Sequence, residues 1–256
     1  MGGTAHASSK VSLTIYFYNP EINITRNAIL KSAFDLYLKT QGTYRFQPVD
    51  NKETFEALIE SEDSAVFMMS NWHYLKLIKT QLNQTSVLGL RGTKNGSDIY
   101  HKILVGTELN LNISTMSLAS SGSEEYSRSI LKDIYSLPHN EPSELNILTV
   151  PKDIDALMAV GFGLADAALT TKSSLAKLST LYKNQYQQLH ILGESQPLKR
   201  LAVVFKQVAP QEYQKIRSIL KQMTQNKKGR RGLNMLGLDD WQLVNEQLTL
   251  DRKPKQ

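Results

Sequence analysis

The sequence predicts an α/β fold in two lobes, each a mainly parallel sheet flanked by helices. Three observations predict it. Short β-rich apolar runs alternate with segments of helical periodicity along nearly the whole chain. The alternation runs through twice, as two consecutive β-α-β-α sets, and extended sequence over Gly106–Leu111 separates them. Strands that alternate with helices favour parallel pairing with helices on both faces. With 256 residues, 41% of them hydrophobic, the chain is long enough to bury two such cores.

The elements follow in order. Val11–Tyr18 alternates and is rich in β-formers, so it reads as a strand that Asn19-Pro20 ends. Ile24–Lys39 repeats apolar residues at helical spacing, with Thr25 as cap and Gly42 as stop. Tyr44–Val49 is a strand, and Asp50 caps a helix over Lys52–Glu60. Ser64–Met69 is a short buried strand followed by a helix through Ile78; Ser86–Leu90 is a strand, Gly92–Gly96 a turn and Tyr100–Val105 one strand. The second set comprises a strand over Asn112–Leu118, a helix over Glu124–Leu137, a strand over Leu145–Val150 and a helix over Asp153–Phe162. Next come a strand over Asp166–Thr170, a helix over Ser174–Tyr182 and a strand over Gln188–Leu192. Leu198–Gln207 carries the chain back, and Pro210–Thr224, with proline in its first turn, is the final helix. The lobes are therefore expected over 11–106 with 198–250, and over 107–197, leaving 1–10 as a leader and Asp251–Gln256 as a charged tail.

Composition narrows the chemistry. There is no cysteine, which excludes disulfides, thiolate metal sites and thiol catalysis. The formal net charge of +6 is modest for this length and by itself selects no partner. No run of 18 apolar residues is present to form a spanning helix. Ala5-His6-Ala7 has the small-x-small pattern of a signal-peptidase site, which points to export, a periplasmic location and a mature start near Ser8. The five histidines (His6, His73, His101, His139, His190) show no metal-ligand spacing, and no nucleophile elbow, P-loop or dinucleotide-binding glycine motif occurs. No enzyme, metal or cofactor is expected. Asn226–Arg231 holds Lys227, Lys228, Arg230 and Arg231 without interleaved aromatics, so it reads as a solvated turn and not as a nucleic-acid surface.

Ser117–Ser123 is the most informative stretch. A strand enters the turn Ser120-Ser121-Gly122-Ser123 and leaves as a helix, where N–H groups and hydroxyls suit an oxyanion or carbonyl oxygen. The same residues with Glu124 match a capping box, and the two readings coexist. Asn71 and Tyr74, beside Trp72, open a helix after a buried strand, while Tyr18 and Asn19 end the first strand where open α/β sheets bind ligands.

The order of these pieces from Val11 to about Val244 resembles the phosphate/phosphite/phosphonate family of periplasmic binding proteins, of the type II fold. Ala119-Ser120-Ser121-Gly122 resembles the family's Ser-Thr-Ser-Gly turn, and Gly163–Ala168 its ending in Asp-Ala-Ala. Asn95–Val105 resembles the segment leading to the interlobe crossing, and Gly237–Trp241 the C-terminal segment. The resemblance implies a ligand cleft between lobes and hinge closure over a small polar or anionic solute. It implies a monomer serving an ABC permease, or a membrane receptor in a sensory variant, with no cofactor and no nucleic acid. Ser120, Ser121, Gly122 and Ser123 then hold ligand oxygens, with Asn71, Tyr74, Tyr18, Asn19 and Thr171 completing the site. Ala119 replaces the leading serine, Lys152-Asp153 stands where a histidine is frequent, and Thr170-Thr171 stands near an expected acid, which argues against an aminoalkylphosphonate.

Overall fold

The structure is a computed structural model and describes residues 13–22, 27–78, 80–82, 86–136 and 145–247. The Ala5-His6-Ala7 motif, Ser8, Thr25, His139 and the tail after Asp251 lie outside the described residues. The chain forms two compact units, 1–18 with 26–98 and 200–256, and 19–25 with 99–199.

Unit 1 begins with β1 (Leu13–Tyr18), α1 (Asn27–Leu38), β2 (Tyr44–Pro48), α2 (Lys52–Ser61), β3 (Ala65–Met69), α3 (Asn71–Leu77) and β4 (Ser86–Thr93). Strand β1 alternates buried with half-buried residues, whereas β3, Ala-Val-Phe-Met-Met, is buried throughout, as a central strand covered on both faces must be. Helix α2 is capped by Asn51, whose Oδ1 accepts from Thr54 N at 2.8 Å; the expected cap, Asp50, instead accepts from the Asn27 side chain.

Unit 2 contains β5 (Ile99–Tyr100), β6 (Ile103–Gly106), β7 (Ser117–Ser120), α4 (Glu124–Tyr135), β8 (Asn146–Thr149) and α5 (Asp153–Gly161). It continues with β9 (Ala167–Thr170), α6 (Lys172–Leu181), α7 (Lys183–Tyr186), β10 (His190–Glu194) and β11 (Leu198–Lys199). Unit 1 then resumes with β12 (Ala202–Lys206), α8 (Pro210–Lys221), a 3-10 turn (Gln222–Gln225), α9 (Lys227–Met235) and β13 (Asp240–Gln247).

Among the described residues, the unit 1 sheet runs β13-β4-β12-β3-β1-β2 and the unit 2 sheet β10-β6-β9-β7-β8. Both are mixed. The pairs β1–β2, β1–β3, β7–β8 and β7–β9 are parallel, and the strands that carry the chain between units, β6, β10 and β12, pair antiparallel. The expected single strand Tyr100–Val105 is two: β5 pairs with β11, while β6 pairs with β9 and β10. Because β6 lies inside the second sheet, the chain changes unit at Asp98/Ile99 instead of near Gly106. Leu198–Gln207 divides in the same way, and Asn112–Met116 is turn, so β7 starts only at Ser117. The expected turn at Asn226–Arg231 is the start of helix α9.

Each unit has its own apolar core: Phe55, Phe67, Leu88 and Val204 in unit 1, and Ile103, Ala119, Leu157 and Leu178 in unit 2.

Candidate functional site

In unit 2 the parallel strands β7 and β9 end beside the N-terminus of α5, so the Ser120–Ser123 turn, Asp153 and Thr170 share the carboxyl edge of the sheet. Open α/β sheets bind ligands at such an edge. The turn is closed by its own groups. Ser120 Oγ, fully buried, accepts from Gly122 N at 3.2 Å and from Ser127 Oγ at 2.7 Å. Ser123 N donates to Pro20 O at 2.7 Å, and Ser123 Oγ caps α4 by accepting from Tyr126 N. The N–H groups of Gly122 and Ser123, expected to hold ligand oxygens, are therefore engaged internally. The reason is physical: a buried turn must satisfy its own donors.

Ser121 is the informative hydroxyl. Its Oγ donates to Asp153 Oδ1 at 2.6 Å, and Lys102 Nζ donates to the same oxygen at 2.8 Å. Lys102 is buried and Asp153 nearly so, which makes this an ion pair shielded from water. An ionised carboxylate only accepts, so the single Ser121 proton is committed to it and the remaining capacity of the buried Ser121 oxygen is to accept. Alongside, Tyr100 OH donates to Glu21 Oε2 at 2.6 Å and lies 3.1 Å from Tyr126 OH. Burial first, and then the Glu21 carboxylate, pushes both phenols well above their ordinary pKa. Asn19 Oδ1 accepts from Glu21 N and shapes the preceding loop. Thr170 Oγ1 donates to the Asp153 carbonyl, while Thr171 caps α6 by accepting from Ser174 N.

In unit 1 two of the expected residues, Asn71 and Tyr74, lie beside an arginine. Arg91, on β4 in register with Ala202, is 5% exposed; its NH1 donates to Asn71 Oδ1, and its guanidinium carbon lies 5.7 Å from the Tyr74 ring centre. Asn71 and Tyr74 are buried on α3, the helix leaving β3. Tyr18 packs against Phe55 and, edge-on at 5.4 Å, against His73, whose Nε2 meets Glu56 Oε1 at 2.9 Å.

Sequence reasoning singled out the serine turn, Asn71 and Tyr74; it did not single out Arg91, Lys102, Glu21, Tyr100 and Tyr126, or the bond of Asp153 to Ser121. One signal was available: Arg91 and Lys102 are single charges beside otherwise apolar strand sequence, and both are buried.

Residues 145–248 match the family model of ABC transporter, phosphonate, periplasmic substrate-binding proteins. A search of curated proteins finds no match. Among solved structures, the chain is similar to a binding protein component of an ABC phosphonate transporter from Pseudomonas aeruginosa, with TM-score 0.64 and 12% identity over 92% of this chain and 83% of that one. A Prochlorococcus marinus protein in complex with methylphosphonate gives TM-score 0.64 and 12% identity over 92% and 94%. A Xanthomonas citri protein bound to ATP gives TM-score 0.64 and 11% identity over 91% and 90%. The chain has the type II periplasmic binding fold, and its C-terminal two fifths carry the sequence pattern of the phosphonate-binding family, as the resemblance implied.

Proposed function

We propose that this chain captures a small oxyanion for an ABC importer in the periplasm, and that the oxyanion carries a proton or another hydrogen-bond donor, as phosphate and the monoanions of phosphonates and phosphite do. The observation that carries this reading is the 2.6 Å hydrogen bond from Ser121 Oγ to Asp153. It leaves the serine turn offering an acceptor beside a carboxylate, which suits a P–OH group or an ammonium and repels an unprotonated dianion. Asp153 is held by Lys102, so it positions Ser121 instead of removing its proton, and the role is capture, not catalysis. The family match supports the same role, since it spans Asp153 and the strand that follows it. In unit 1, Arg91 is the group with the planar donor fork that complements oxyanions.

Calorimetric titration with methylphosphonate, phosphite, phosphate and sulfate at neutral pH tests the proposal. Binding of a protonated oxyanion without measurable binding of sulfate is expected, as is weakened binding in Ser121→Ala. Sulfate binding as tightly as methylphosphonate would sink the argument from Ser121.

A further inference from the structure

The charge of the chain is unevenly placed. Between Tyr213 and Leu238 there are seven lysines and arginines and no acidic residue, so the rest of a chain whose formal net charge is +6 is slightly acidic. Three of the seven lie on α8 and are occupied there. Lys215 Nζ sits 5.3 Å from the Tyr44 ring centre, Arg217 donates to Val244 O, and Lys221 pairs with Asp240. The other four, Lys227, Lys228, Arg230 and Arg231, open α9 and are all exposed.

Helix stability does not explain these four. The N-terminal turn of a helix carries partial positive charge, so cations placed there oppose it. Glycine weakens a helix as well, yet the two glycines of α9 have a packing reason. A Cβ on Gly229 would strike the Met223 backbone, and one on Gly232 would come within 3.0 Å of Met223 Cε and 3.2 Å of Phe34 Cε2. The glycine face lets α9 lie flush on α1 and the 3-10 turn, with Leu233 buried beneath. No such packing reason applies to the cations on the opposite face, although Arg230 NH1 also donates to Thr224 O. Nearby acids are committed elsewhere: Asp35 to Lys31, Asp239 to Asn95 N and Asp240 to Lys221.

We infer that the exposed cationic face of α9 is a docking surface for an anionic phospholipid bilayer. Four cations on one helical face match the clusters that bind acidic headgroups. The helix, Lys-Lys-Gly-Arg-Arg-Gly-Leu-Asn-Met, has no aromatic side chain for stacking bases, and Gly229, Gly232 and Leu233 face inward, so the contact is electrostatic and non-inserting. Such a surface would hold the protein in the layer of solution next to a membrane-embedded transporter. None of its four cations is among the residues of the candidate ligand site, and the inference does not depend on which solute is bound.

The test is co-sedimentation of the full chain with vesicles of one part phosphatidylglycerol to two parts phosphatidylcholine, and with pure phosphatidylcholine. Binding is expected only to the anionic vesicles at about 20 mM salt and is lost at about 0.5 M, where screening is nearly complete. Each exposed cation replaced by glutamine lowers the partition coefficient about fivefold, and the combined variant Lys227→Gln, Lys228→Gln, Arg230→Gln, Arg231→Gln lowers it by about two orders of magnitude or more. Lys215→Gln, whose cation is occupied on α8, serves as a control with little change. Equal binding of the fourfold variant overturns the inference. So does an absence of vesicle binding when a labelled DNA duplex is bound in the same buffer, which would assign the face to nucleic acid. An unchanged circular dichroism spectrum and melting temperature show that the variant is folded.

Discussion

Replacing Asp153 by asparagine removes one charge from the centre of the unit 2 site with little change in shape. Asp153 Oδ1 receives Lys102 Nζ at 2.8 Å and Ser121 Oγ at 2.6 Å, and the two ionic side chains are 4% and 16% exposed. At this separation the gross attraction is about 6 kcal/mol with an effective dielectric constant of about 20. Desolvating the two ions offsets much of it, so the intact pair contributes little net stability. Removing one member is different, because the buried ammonium of Lys102 then lacks its counter-charge. Such truncations cost about 3–5 kcal/mol; asparagine keeps the acceptor oxygen, which places Asp153→Asn near the lower end, at about 3 kcal/mol. In a chain of this size that lowers Tm by about 6–12 °C. The double variant Lys102→Met, Asp153→Leu replaces both ions by apolar groups and recovers most of the loss. Thermal melts of the two single variants and the double variant form the assay. Asp153→Asn melting within about 1 °C of the parent would refute the reading of Lys102–Asp153 as a buried, coupled pair.

Three further outcomes are expected. Gly122→Ala places a Cβ 2.5 Å from Tyr126 Cδ1 and 3.3 Å from Glu21 O, and because Tyr126 is fully buried the clash costs about 1–3 kcal/mol in urea unfolding. The Tyr126 phenol has its folded-state pKa raised well above 10 by burial and the Glu21 carboxylate, so its contribution is fully present below pH 10 and is lost as pH rises from 10 toward the folded value; Tyr126→Phe flattens that alkaline decline in stability measured by circular dichroism. Lys227→Glu puts an acid at the first position of α9 in place of a cation and raises stability by about 0.3–1 kcal/mol, read as a higher denaturant midpoint; a lower midpoint would contradict the dipole argument.

Much of the fold was legible because local pattern and tertiary role coincide. Strand β3 is apolar at every position because it is central, and α1 and α8 bury the stripes that their periodicity shows. Where pairing partners decide, local pattern was blind. Nothing in Tyr100–Val105 announces that its halves join different sheets, and β13 escaped notice because Asp-Trp-Gln-Leu-Val-Asn-Glu-Gln is an edge strand whose place comes from β4. Helix α9 read as a turn because its two glycines are poor helix formers and its run of four cations suits a solvated segment; packing on Phe34 and Met223 overrides the glycine propensity. The site divides in the same way. A Ser-Ser-Gly-Ser turn between strand and helix is visible in sequence. The bond between Lys102 and Asp153 joins residues 51 positions apart and appears only once β6, β7 and α5 are assembled.

The departures from the family pattern now have physical roles. Ala119 stands where the resemblance places a leading serine, and it is fully buried in the apolar cluster with Ile103, Ala168 and Leu157. A hydroxyl there would enter the core without a partner from that cluster, so alanine removes a desolvation cost. Lys152-Asp153 stands where a histidine is frequent, and Asp153 accepts a hydrogen bond from Ser121 while Lys102 balances its charge. On the proposed reading, the carboxylate adds an acceptor at the turn, which favours an oxyanion that brings its own proton over a bare one. Removing the carboxylate, as Asp153→Asn, therefore moves the turn toward sulfate, and the ratio of methylphosphonate to sulfate affinity falls relative to the parent. A ratio unchanged in a folded Asp153→Asn variant would mean that the carboxylate does not set the protonation preference.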